Sequence, residues 1–239
     1  MDVLLDLRDF EVGEEVVLKS LPFDPMHREH EMEMGGGMEH MDMEHHHHMA
    51  HQMGPARLPD GSEIYLLRLV VAEKSDYSRS VPQTLSEVPQ PDLSGATSRP
   101  ITISMTTDDQ GMRWLINGRT HSMDEIPIVV QSGAKEIWEI HNDEKSMPHP
   151  AHLHGVQFRV LERMGTPEQV AHLVVDEKGR LVTDLGFKDT VLLWPGETVK
   201  WAIDFSHGFE GEQLYMFHCH ILEHEMEMML NLKIVDPQG

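Results

Sequence analysis

The chain has 239 residues, 41 acidic against 19 basic side chains, and a formal charge of −22 with its 18 histidines counted neutral. That length is ample for a core, while so acidic a balance argues against nucleic acid or anionic membrane as partners and suits cations. The one cysteine, Cys219, excludes an intramolecular disulfide, and no stretch approaches the roughly 18 apolar residues of a membrane span.

The opening MDVLLDLRDF lacks the basic start, long apolar run and small-residue cleavage site of a signal peptide. The expectation is therefore a cytosolic chain or one whose natural N-terminus lies upstream. Residues 3–7 and 15–19 read as short strands separated by a turn at Gly13. Composition then changes sharply. Residues 26–53 hold eight Met, eight His and six acidic side chains around Gly35-Gly36-Gly37, with too little aliphatic content to build a core. The apolar run IYLLRLVV at 64–71 reads as a strand buried on both faces. Pro82, Pro89 and Pro91 stiffen a linker placed at residues 81–99.

From residue 100 onward, short strand-like runs recur between Asn-Gly and Pro-Gly turns, among them ITISM, MRWLING, IPIVVQ, KEIWEI, VQFRVL, DTVLLW, TVKWAI, QLYMF and NLKIV. Such spacing with little helical periodicity indicates an all-β sandwich or barrel. The exception is residues 221–228, a polar stretch read as a short helical turn.

The chemistry concentrates at two motifs about 65 residues apart, His149-Pro150-Ala151-His152-Leu153-His154-Gly155 and His218-Cys219-His220 followed by His224 and Met229. One soft thiolate, two imidazoles and a weak axial thioether are the donors of a blue-copper centre, trigonal His2Cys with a long axial Met. Met228 is the alternative axial donor, and the four-residue spacing after His224 favours Met229. In a strand, neighbouring side chains point to opposite faces. His218 and His220 therefore point away from Cys219, and His152 and His154 share a face. His141, His172, His207 and His121 read as ordinary core or surface residues.

Together the two motifs resemble those of the C-terminal domain of multicopper oxidases, the laccase and copper-efflux oxidase family. The resemblance covers residues 100–239 and implies a cupredoxin Greek-key β-sandwich, with residues 1–80 as the end of a preceding, partial cupredoxin domain. It implies copper as cofactor: His149, Cys219, His224 and Met229 on a type 1 copper, His152 on a type 2 copper, and His154, His218 and His220 on type 3 coppers. Electrons from cuprous ion or a phenolic donor would pass from Cys219 through either flanking histidine to a three-copper cluster, where O2 is reduced to water. Glu225 matches the position of a proton relay, and a plain surface glutamate is its alternative. The family cluster takes eight imidazoles as four His-x-His pairs, and this chain supplies two pairs. The resemblance therefore implies either a homo-oligomer or a partner in the form of a missing N-terminal oxidase half. It also implies a periplasmic or extracellular location. Residues 26–53 resemble the methionine-rich insert of copper-efflux oxidases and suggest copper recruitment. The alternative function is a non-catalytic cupredoxin for copper binding, electron transfer or sequestration.

Overall fold

The computed structural model describes residues 5–24, 61–77, 79–84, 87–109 and 111–237. The Met/His-rich segment 26–53 lies outside them. The chain divides into two compact units, Met1–Gln83 and Thr84–Gly239.

In the first unit, β1 (Glu15–Lys19) and β2 (Tyr65–Val70) pair antiparallel. Residues 3 and 4 are outside the described part, and Leu5 to Leu7 form no strand, so the expected strand at 3–7 is not found there. The run at 64–71 also differs from its reading: Tyr65 is 75% exposed, Leu66 60% and Leu67 48%. Among the described residues of its unit, this two-stranded ribbon has no second layer to cover its faces.

The second unit is the expected all-β sandwich. One sheet has the order β4-β3-β6-β10-β8 and the other β5-β12-β11-β7-β9. The strands of the first sheet are β3 (Thr97–Asp108), β4 (Gly111–Ile116), β6 (Lys135–Asn142), β8 (Phe158–Met164) and β10 (Thr198–Asp204). Those of the second are β5 (Ile128–Gln131), β7 (His149–Leu153), β9 (Thr190–Leu193), β11 (Gln213–Cys219) and β12 (Met229–Val235). β3 runs parallel to β6 and β5 parallel to β12, and the remaining ladders are antiparallel. Two short α-helical pieces, α1 (Glu168–Ala171) and α2 (Leu222–Glu225), and a 3-10 turn at Val182–Asp184 complete it among the described residues. α2 falls in the stretch read as a helical turn.

Alternation sets the core. Inward residues of β12 (Leu230, Leu232, Ile234) and β6 (Trp138, Ile140) meet Phe158, Trp201 and Phe217 between the sheets, all 5% exposed or less. Residues placed in the linker are tied to this sandwich: the Pro89 carbonyl accepts from Arg159 Nη1 at 2.8 Å, and Asp92 pairs with Lys135. A buried triad, Arg163 with Asp184 at 2.6 Å and with Glu197 at 2.8 Å, joins β8 to the segments flanking β9.

Candidate metal centre

β7 and β11 lie side by side, with His218 opposite His152 and Cys219 opposite Ala151. Directly opposed residues share a face. The two ladders therefore sort the motif side chains into an inward set around Cys219 and another set around His218.

The inward set is His149, Cys219 and His224, all buried. Cys219 Sγ lies 3.6 Å from His149 Nδ1 and 3.8 Å from His224 Nδ1. For metal bonds of about 2.0 Å to nitrogen and about 2.3 Å to sulfur at trigonal angles, nitrogen and sulfur stand about 3.8 Å apart, so the three donors fit one ion. His149 Nε2 is 2.8 Å from Ser146 Oγ; with Nε2–H donating there, Nδ1 is left as a lone pair toward the thiol. Burial pushes the His149 imidazole down to about 3 and lowers His224 as well, so both rings are neutral and ready to ligate. Burial pushes the Cys219 thiol up to about 11. The Ile221 N–H donates to Sγ at 3.4 Å, a contact that favours the thiolate.

Two methionines, Met229 and Met228, are candidates for the axial position. Met229 stands opposite His218 in the β11–β12 ladder, which puts it on the His218 face. Met228 is 0% exposed and packs in the core cluster that contains Cys219, and its carbonyl accepts from the Cys219 N–H at 3.1 Å. Met229 remains the axial candidate by its spacing after His224, and Met228 the alternative by its burial beside Cys219.

The other set is His152, His154, His218 and His220. His154 Nε2 and His218 Nε2 are 2.9 Å apart, and the His152 ring centroid lies 4.8 Å from those of His154 and His220. His152 Nδ1–H donates to the Asp189 carbonyl at 2.8 Å, and His218 Nδ1–H to the Cys219 carbonyl at 2.9 Å. Both contacts free Nε2 for an ion. Desolvation lowers His152 and His154 from the ordinary imidazole value. His218 is buried, His152 and His154 half-buried, and His220 exposed. Glu225 Oε1 approaches His218 Nδ1 at 3.6 Å, which ties the expected relay position to this set.

Two contributors escape sequence reasoning. The Trp114 ring lies against His224, with centroids 4.0 Å apart at 35°, and meets His149 edge-on at 5.1 Å. Glu227 accepts from the Trp114 N–H at 3.0 Å and pairs with Arg113 at 2.9 Å. Both depend on contacts between residues more than a hundred positions apart, for which no local pattern exists.

The multicopper oxidase family model matches residues 94–239. The chain is 35% identical over 161 residues to a laccase of Haloferax volcanii, which covers 65% of this chain and 25% of the laccase. It is 32% identical over 169 residues to a bilirubin oxidase of Albifimbria verrucaria, over 69% of this chain and 27% of that enzyme. The solved McoA multicopper oxidase of Aquifex aeolicus superposes with a TM-score of 0.69 at 30% identity, covering 97% of this chain and 42% of that one. The chain thus spans about a quarter of the curated relatives it matches. With a family match over more than half its length, falling on the segment that gathers the thiol and the histidines, the chain belongs to the multicopper oxidases.

Proposed function

We propose that this chain is the copper-bearing C-terminal part of an oxidase that takes single electrons from cuprous ion or a phenolic donor and reduces O2 to water. His149, Cys219 and His224, with Met229 as axial thioether and Met228 as its alternative, would hold type 1 copper. His152 would contribute to a type 2 copper, and His154, His218 and His220 to type 3 coppers. Copper so bound supplies reversible one-electron chemistry at the thiolate and oxygen reduction at the histidine set.

The observation that carries this reading is the run His218-Cys219-His220 at the end of β11. Its middle side chain belongs to the inward donor set, and its first lies in the histidine set on the other face. The His218 Nδ1–H to Cys219 carbonyl contact adds a direct link between the two sets. Glu225, beside His218, is positioned to pass protons toward the histidine set. A copper-gathering role for the Met/His segment 26–53 belongs to the same reading, because thioethers prefer cuprous ion. Among the described residues no helix is long and apolar enough to cross a membrane; a periplasmic or extracellular location is proposed from the family.

The test is oxygen uptake by the copper-loaded chain with cuprous ion and with a phenol, alongside copper analysis. Uptake that is lost on Cys219→Ser supports the oxidase. One copper per chain with no uptake favours the second reading, a non-catalytic cupredoxin. That reading rests on the half-complement of histidines present here.

A further inference from the structure

Both imidazoles of the inward set are sealed, His149 at 0% and His224 at 5% exposure. What seals His224 is Trp114, itself 6% exposed. The indole has not simply fallen into a core vacancy. Glu227, three residues after His224, holds the Trp114 backbone N–H on one carboxylate oxygen and pairs with Arg113 through the other. The Glu227 N–H donates to the His224 carbonyl at 3.1 Å, and its carbonyl accepts from His121 N–H at 2.8 Å. The ligand-bearing turn and strand β4, from the opposite sheet, are therefore cross-tied at the residue that carries the indole. His149 has a polar partner in Ser146 to fix its ring plane. The His224 ring, by contrast, among the described residues has its one side-chain polar contact with Cys219 and otherwise meets the rings of Trp114 and His149, so packing has to fix its plane.

We propose that Trp114 is a positioning residue of this copper centre: its face fixes the plane of His224 so that Nδ1 stays aimed at the Cys219 sulfur, with or without metal. The inference rests on the type 1 assignment above. A trigonal thiolate site depends on an imidazole held to within about 10–20° of its productive orientation, and a ring locked by packing supplies that. Phenylalanine at position 114 keeps an aromatic face against His224; leucine keeps apolar volume but offers none.

The experiment compares W114F and W114L in the full chain, read by the thiolate-to-copper visible band and by cupric electron paramagnetic resonance at matched copper content. In W114L the band is expected to lose roughly half its intensity or more and the resonance to broaden toward a tetragonal site. W114F should keep the parent signature even if both variants lose stability. W114L with the parent spectrum, or W114F and W114L altered alike, would overturn the proposal. A second measurement needs neither variant nor metal. In the copper-free parent chain the His224 ring protons should be shifted upfield by the indole ring current, and unshifted protons also overturn it. If no variant or parent shows a thiolate band at all, while the upfield shift is present, the type 1 assignment fails and the packing claim stands.

Discussion

The thiol of Cys219 is buried and held protonated near neutral pH, whereas a coordinating thiol is deprotonated outright. His149 and His224 are already neutral, so cupric ion entering the inward set at pH 7 should release about one proton per copper bound. Proton release is read by titration in weak buffer. Cys219→Ser should release none and lack the visible band while remaining folded, and a blue Ser variant would disprove the site. Burial has an opposite consequence for His149 in the copper-free chain. Its native value is about 3 against an unfolded value of 6.5, so between those values the unfolded chain binds a proton that the native chain refuses. Stability is therefore complete above pH 6.5 and falls as pH drops toward 3, by at most roughly 1.4 kcal/mol per pH unit from this group. Denaturation midpoints at pH 7 and pH 4.5 should converge in His149→Gln relative to the parent; an equal drop in both assigns the acid sensitivity elsewhere. For the axial donor, Met229→Leu should keep the colour and raise the reduction potential, because weak donation to the cupric state is lost. An unchanged potential in Met229→Leu would shift the axial role to Met228.

Strands transmit the motif into geometry. β7 and β11 each present alternate residues to alternate faces, so a run of three histidine-pattern residues becomes two separate donor sets. That separation was legible from sequence, since a period of two needs no tertiary information. The sandwich was legible for the same reason: β4, β6, β8, β10, β11 and β12 all fall on expected apolar runs. What escaped depends on partners distant in the chain. The exposure of β2 turns on whether a second layer covers it, and Trp114 on a contact across the two sheets. A similar long-range contact governs Gly155, the residue that closes the first motif. At φ +79 it sits where L side chains are strained, and a Cβ there would meet the Tyr215 ring at 2.3 Å. Gly155→Ala should cost roughly 1–3 kcal/mol. It should also disturb His154 more than Cys219, because the His154 N–H is held by the adjacent Met216 carbonyl at 2.9 Å. Chemical denaturation gives the first quantity. The second follows from copper content, which should fall at the histidine set while the visible band persists; loss of the band instead would mean that the two sets are not separable at this turn.

At the scale of the molecule the decisive quantity is the number of imidazoles. Four of them gather around His218, and a family cluster takes eight, in four His-x-His pairs. A two-fold pair of these chains would bring two copies each of His152, His154, His218 and His220. That meets both the total and the split of two imidazoles on type 2 copper and six on type 3. Isologous association is also the commonest closed arrangement of soluble proteins. His220 is exposed and His152 and His154 only half-buried, so the face can be reached from outside the sandwich. The apolar side chains exposed on β2 give a second reason for association, since uncovered sheet faces invite partners. Charge opposes it: at −22 per chain, two copies repel, and the repulsion is screened within about 8 Å at physiological salt. Association should therefore strengthen with salt and with copper together. Sedimentation of the purified chain across a salt series, with metal analysis of each species, measures this directly. The expected outcome is a dimer carrying more than two coppers per pair, formed more readily at high salt, and weakened by His152→Ala with His220→Ala while the visible band remains. A monomer with one copper at every salt concentration would rule out self-assembly and leave the remaining histidines to a different polypeptide segment.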